Sequence, residues 1–273
     1  MMRSAGEILK RVTVTGLLFI ASVSAATGHE FWISPESYRL APGGQLVSSL
    51  LVGEDFKGNS MIYNPGGQRR FEVEVKGNSV RFRSIVGDDP ALRVRVKEPG
   101  LHVISYYSTP TTFTFKSWDK FVSYVEGKGE EAVLDLHRQR GLPKQDFDEA
   151  YSRCAKALVQ AGKANGQDRA VGLPLEFVAA ANPYLDDVST GLPVTLLWKG
   201  KPLAGAQIKV FIRGEAGHLI TSLLRTDARG QALIDTAHKG EYLLNSVHLI
   251  SPETVSDAAW ESYWASLTFR IDP

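Results

Sequence analysis

Phe71-Glu72-Val73-Glu74-Val75-Lys76-Gly77-Asn78-Ser79-Val80-Arg81-Phe82-Arg83 decides the fold class. Apolar and charged residues alternate on either side of Lys76-Gly77-Asn78. That pattern predicts a strand with one wet and one buried face, a tight turn, and a returning strand. The same grammar extends both ways. Upstream, Tyr38-Arg39-Leu40 leads through Ala41-Pro42-Gly43-Gly44 into the apolar run Gln45 to Gly53. Downstream, Leu92-Arg93-Val94-Arg95-Val96 alternates, and Glu98-Pro99-Gly100 turns the chain into Leu101 to Tyr107. Short strands separated by turn residues at this spacing predict an antiparallel sandwich over residues 29–115.

Beyond Thr114 the period changes. Phe121 to Val125 and Ala132 to His137 have helical spacing and stop at Gly141-Leu142-Pro143. Phe147 to Gln160 reads as a second helix, with Asp146, Asp148 and Glu149 at its start and Gly162 and Lys163 past its end, an order that suits the helix dipole. Residues 116–170 are therefore read as a helical linker. From residue 171 the strands return, through Leu175 to Val178, Gly191 to Trp198, Ala206 to Phe211 and Tyr242 to Ile250, which places a second sandwich over 171–273. The expected fold is mainly β, with two antiparallel sandwich domains joined by a short helical insert.

The first 28 residues read as a signal peptide. Arg3, Lys10 and Arg11 precede an apolar run, Val12 to Val23, too short to span a bilayer. Cleavage fits after Ala25 or after Gly28. Removing 1–28 takes away three positive charges and one negative, so the formal charge falls from +1 to −1. A near-neutral mature chain gives no electrostatic reason for a nucleic-acid partner, and no later segment has the length of a spanning helix. With one cysteine, Cys154, an exported chain has no internal disulfide and relies on its core. The expected location is periplasmic or secreted.

Gly200-Lys201-Pro202-Leu203-Ala204-Gly205-Ala206-Gln207-Ile208, the turn Thr226-Asp227-Ala228-Arg229-Gly230 and the entry Gly240-Glu241-Tyr242 together resemble transthyretin-like, carboxypeptidase-regulatory-like sandwich domains. Over nearly its whole length the chain also resembles a bacterial periplasmic family with a domain of unknown function, loosely labelled a nickel-uptake substrate-specific component. That resemblance rests on His29-Glu30-Phe31-Trp32, on Tyr151, Ser152, Arg153, Ala155 and Lys156, on Gly172 to Glu176 with Asn182-Pro183, and on the ending Trp260 to Phe269. It implies a partner metal ion and a membrane metal-uptake system.

His29 is the first candidate ligand. After cleavage at Gly28, its α-amine and imidazole Nδ1 chelate one ion, and a second His would complete a nitrogen set suited to Cu(II) or Ni(II). His248 and Glu261 are the further candidates, Glu261 as an oxygen ligand or as the partner that orients an imidazole. Alternation puts Tyr242, Leu244, Ser246 and His248 on one strand face, with Leu243, Val247 and Leu249 on the other. His137 reads as a dipole partner at a helix end, His218 and His238 as solvated turn residues, and Cys154 as a buried, inert thiol. No nucleophile elbow, His-Glu-x-x-His or phosphate loop is present. The expectation is a non-enzymatic metal-binding or uptake-accessory protein holding one Ni, Co or Cu ion. The alternatives are a structural or carbohydrate- or protein-binding sandwich module without metal, which sugar binding through Trp260 or Trp264 would support although their spacing reads as a cap on the core, and a copper histidine-brace oxidase.

Overall fold

The computed structural model describes residues 29–255 and 257–272; the signal-peptide reading of 1–28 lies outside them. The N-terminal part carries β1 (Glu30–Pro35), β2 (Arg39–Leu40), β3 (Gln45–Glu54), β4 (Lys57–Met61) and β5 (Gln68–Val75). It continues with β6 (Asn78–Ser79), β7 (Leu92–Arg95), β8 (Gly100–Ser108) and β9 (Thr111–Phe115). Helices α1 (Trp118–Lys128) and α2 (Ala132–Gln139) follow. The rest is β10 (Phe147–Ala161), β11 (Leu175–Ala179), β12 (Leu192–Trp198), β13 (Lys201–Pro202), β14 (Gln207–Arg213), β15 (Leu219–Arg225), β16 (Gln231–Ile234), β17 (Gly240–Ile250) and β18 (Trp260–Ile271). The chain is mainly β, with a short helical insert.

A ten-stranded sheet forms the middle layer, in the order β15-β14-β17-β18-β10-β8-β5-β6, with β2 and β9 also paired to β10. It therefore takes strands from both sides of the helices. One four-stranded sheet (β1, β3, β4, β7) covers one face, where Phe31, Ile33, Leu46 and Leu50 meet Ile104, Tyr106, Ala155, Ala157 and Val159. The other (β11, β12, β13, β16) covers the opposite face, where Phe177, Leu192, Val194 and Leu196 meet Leu101, Val103, Leu158, Leu244, Leu267 and Phe269. Alternation along β8 and β10 splits their side chains between these two cores, as period-2 geometry requires.

Helix α1 buries Phe121, Tyr124 and Val125, the i, i+3, i+4 stripe of an amphipathic helix. It ends at Gly129 in the left-handed region (φ 72°), whose N–H donates to the carbonyls of Glu126 and Val125. With α2 it packs on Val247, Leu249, Trp260 and Trp264, beside the first small sheet.

Two sequence expectations are corrected. Phe147–Ala161 is a strand of fifteen residues rather than a helix. It is parallel to β18 on one edge and antiparallel to β8 and β9 on the other, so neighbours satisfy its backbone whatever its helix propensity. Layers on both faces leave room only for Ala150, Cys154, Ala155, Ala157 and Ala161 at many positions, which erases the alternation that marks a half-buried strand. The returning arm at Val80–Arg83 is the second correction. The ladder holds Glu74↔Ser79 and Val75↔Asn78, and one more backbone bond runs from the Val80 N–H to the Val73 carbonyl at 2.7 Å. Beyond it no strand forms, and Phe82 sets its ring edge against Phe71. The expected turn itself is present, with Lys76 (φ 50°) and Gly77 (φ 80°) both left-handed.

On the face of β10 opposite Ala155 and Ala157, Lys156 is fully buried. Its Nζ lies 2.7 Å from Asp168 Oδ1 and 3.2 Å from Glu176 Oε1, and it donates to the carbonyls of Arg169 and Phe177, each at 2.9 Å. Asp168 accepts the N–H groups of Arg169 and Ala179, and Glu176 those of Val171, Gly172 and Leu173. Close by, Asn182 Nδ2 donates to Gln160 Oε1 and to the Gly166 carbonyl, and its Oδ1 accepts the Tyr184 N–H. Removing one partner of such a buried set strands the others. Lys156→Met is expected to lose about 3–5 kcal/mol of unfolding free energy. Urea titration at neutral pH measures it, and a loss below about 1 kcal/mol, the worth of an exposed pair, would refute a structural role for the cluster.

Candidate functional site

The His29 end of β1 lies beside buried charged groups. Pairing of Glu30 with Gly53 sets His29 across from Glu54, with His29 Nε2 3.8 Å from Glu54 Oε1. Both side chains are more than half exposed. The next residue turns inward. Glu30 is buried, with Oε1 4.0 Å from Lys128 Nζ at the end of α1. Lys128 lies over the Trp264 ring at 4.4 Å. Burial raises the Glu30 carboxyl above its usual range and lowers the Lys128 ammonium, in each case outweighing the attraction between them. Glu149 is buried as well and accepts a 2.7 Å hydrogen bond from the Tyr124 hydroxyl, and burial again raises its pKa.

The α1–α2 turn joins this cluster to β17. Gly129 is fixed there because a Cβ would come within 2.8 Å of Gln207 Cβ, besides requiring φ 72°. Beyond it Glu130 Oε1 meets His248 Nδ1 at 2.9 Å, and the His248 imidazole sets its edge against Trp198. The faces of β17 divide as the alternation predicts, with Tyr242 and Leu244 in one core and Leu243, Val247 and Leu249 against the other layer.

Glu261 belongs to a separate arrangement. Its Oε1 accepts the backbone N–H groups of Glu253, Thr254 and Val255 at 2.9, 2.5 and 2.6 Å, and its Oε2 accepts the Tyr263 hydroxyl. Burial works to raise its pKa, yet the three backbone donors outweigh burial and hold it low. The structure therefore gives His29, His248 and Glu261 three different partners: Glu54, Glu130 and a backbone loop. Among the described residues, no three His, Cys, Asp or Glu side chains are grouped as a metal site.

Sequence reasoning missed the role of His137. It is buried rather than at an exposed helix end. Its Nδ1 accepts from Trp260 Nε1 at 3.0 Å, which leaves Nε2 to donate to the Pro143 carbonyl, so the ring is neutral, and burial holds its pKa down. The only sequence signal was the apolar stripe around it. Cys154 is buried as expected, and burial pushes its thiol up to about 12. His218 and His238 are exposed, as turn residues should be. Trp260 and Trp264 are buried in β18, so neither offers a ring face to solvent for stacking a sugar.

A family model described as a domain of unknown function, DUF4198, matches residues 26–250. The chain belongs to this family. No curated protein matches it. Among solved structures it is similar to the D0-D1 domain of intimin, at 14% identity and TM-score 0.22, over 87% of this chain and 97% of that one. It is also similar to a tetra-tandem repeat in the extending region of a large adhesion protein, at 13% identity and TM-score 0.21, over 89% of this chain and 50% of that one.

The raised carboxyls have a pH consequence. A group whose folded pKa exceeds its unfolded value adds stability below the unfolded value, near 4.5 for Glu149, and loses it as pH rises through the folded pKa. Glu149→Gln keeps an acceptor for Tyr124 without the charge. The variant is expected to be more stable than wild type at pH 7, with the difference vanishing toward pH 4. Thermal melts across that range test this, and a variant equally destabilised at every pH would refute it.

Proposed function

We propose that the protein is an exported, non-enzymatic metal-handling protein that takes one transition-metal ion at His29. The observation that carries this reading is the exposure of His29 at the start of β1, directly across the ladder from Glu54. After cleavage at Gly28, the α-amine and imidazole of a single residue form a chelate, and Glu54 supplies an oxygen donor or a hydrogen-bond partner beside it. Cu(II) and Ni(II) suit such a nitrogen-rich set. His248 and Glu261 take no part, because each is held by another partner. The chelate's open geometry suits a carrier that passes its ion to a membrane uptake system.

The test is intact mass of the exported protein followed by Cu(II) and Ni(II) titration. The expected product begins at His29 and retains one metal. His29→Ala should abolish retention, Glu54→Gln should weaken it about tenfold, and His248→Ala should leave it unchanged. A product beginning at Ala26 that retains no metal refutes the reading.

A further inference from the structure

The face of β10 that carries Ala155 and Ala157 also carries Arg153, and the two large side chains of this short stretch have opposite fates. Lys156 has two carboxylates around it; Arg153 has none among the described residues. Its side-chain partners among the described residues are Met61 Sδ, 3.6 Å from Nη1, and the rings of Phe31 and Tyr151, whose centroids lie 5.2 and 5.4 Å from Cζ. It is partly buried, and burial lowers its pKa. The other arginines without a carboxylate partner that reach solvent, such as Arg69 and Arg140, are exposed. A guanidinium withdrawn from water without a counter-charge is costly, and the chain elsewhere avoids that cost with an acid.

Arg153 lines a cavity of about 140 Å³ between the first small sheet and the central one. The cavity exists because two ladders meet there. β9 pairs with β10 up to Tyr151 and β8 resumes at Leu158, so the pairing on that edge is interrupted between them, where Ser108 Oγ accepts the Arg153 backbone N–H. The opposite wall is irregular too, with a β-bulge between Gln68 and Arg70, a common device for re-aiming a side chain. Gln68 Oε1 is buried there without a hydrogen-bond partner. Ser108, Thr109 and Thr111 add hydroxyls, while Leu50, Met61 and Tyr106 form an apolar side. Among the described residues no Asp or Glu lines the cavity.

We infer that this cavity is a binding site for a small organic carboxylate, held at Arg153. A guanidinium whose face lies against aromatic rings keeps its in-plane N–H edge for a planar anion, and a carboxylate matches that edge with two parallel hydrogen bonds. The hydroxyls and the Gln68 Nε2–H groups are the further donors for the anion, and the apolar side accepts a short hydrocarbon remainder. One buried water needs about 10–15 Å³ of such volume, so the cavity has room for a molecule of only a few heavy atoms. This site is independent of His29.

The test uses the mature full-length protein, with succinate, propionate and inorganic phosphate as probes at constant ionic strength, in calorimetry and amide NMR. Succinate or propionate should bind saturably and move the Ser108, Thr111 and Arg153 amides. Arg153→Met, which keeps the bulk without the charge, should weaken binding about tenfold or more. The paired substitution Gln68→Ala and Thr111→Val leaves the charge in place and should weaken it less. This second variant keeps the assignment testable where Arg153→Met does not fold. Thermal midpoints should rise with carboxylate in wild type and stay flat in Arg153→Met. Equal affinity in wild type and both variants, the absence of saturable binding to wild type, or binding of phosphate in place of the carboxylates each overturns the assignment.

Discussion

β10 is the strand against which the rest of the molecule is built. It has partners on both edges, β18 on one and β8 with β9 on the other, and a layer against each face. An ammonium placed on such a strand has no route to water. Lys156 therefore obliges the fold to bring carboxylates to it, and Asp168 and Glu176 are the response. Both carboxylates keep oxygen atoms for backbone N–H groups, so one buried ion pair fixes the course of residues 168–173 and the start of β11. The second small sheet is thus tied to the central one by a polar clamp as well as by apolar contact. Such a clamp adds less net stability than its short distances suggest, because desolvation opposes it. What it adds is a single allowed arrangement of the two layers.

The same reasoning sorts the polar residues that stand out in the sequence. Lys156, Glu176, Asn182, His137 and Glu261 all have their hydrogen-bonding capacity met inside the chain. Their chemistry is explained by folding. His29 and Arg153 differ. One is exposed beside a single carboxylate, and the other is half-buried without any. These are the positions where the structure leaves an interaction to be completed from outside. They have different partners and suit different chemistry, a nitrogen donor for a metal and a cation for an anion.

Much of the fold was legible because half-buried strands advertise themselves. Leu92-Arg93-Val94-Arg95 alternates buried and exposed as its sequence alternates, and Asp227 and Gly230 make the expected turn, with Asp227 Oδ1 accepting the N–H groups of Arg229 and Gln231. Both helices fall where the period changes. β10 was not legible for the converse reason. A strand buried on both faces loses its alternation, and its small residues together with Asp146, Asp148 and Glu149 imitate a helix start. In the fold Glu149 meets Tyr124 and Asp148 meets Thr114, neither of them within a helix containing the acid. The surroundings of the candidate ligands were hidden by distance along the chain. His248 finds Glu130 across 118 positions, a pairing that no local pattern encodes.

Arg153 shows what combining the two levels can add. In sequence it is one residue of the family resemblance and the neighbour of a lone thiol. In the structure the thiol points into the opposite core, and burial keeps it protonated whatever the charge next to it. The two cations of this stretch, three positions apart, fall on opposite faces of β10 because a strand reverses direction at each residue. One face surrounds its cation with two carboxylates and a set of carbonyls. The other surrounds its cation with rings, a thioether and hydroxyls, next to a gap in the ladder. A chain able to supply acids for the first could do the same for the second by changing one cavity residue, since Gln68 differs from a carboxylate only in its amide. Neutral Gln68 keeps the cavity's positive charge uncompensated from within, and that charge draws an anion in from solution.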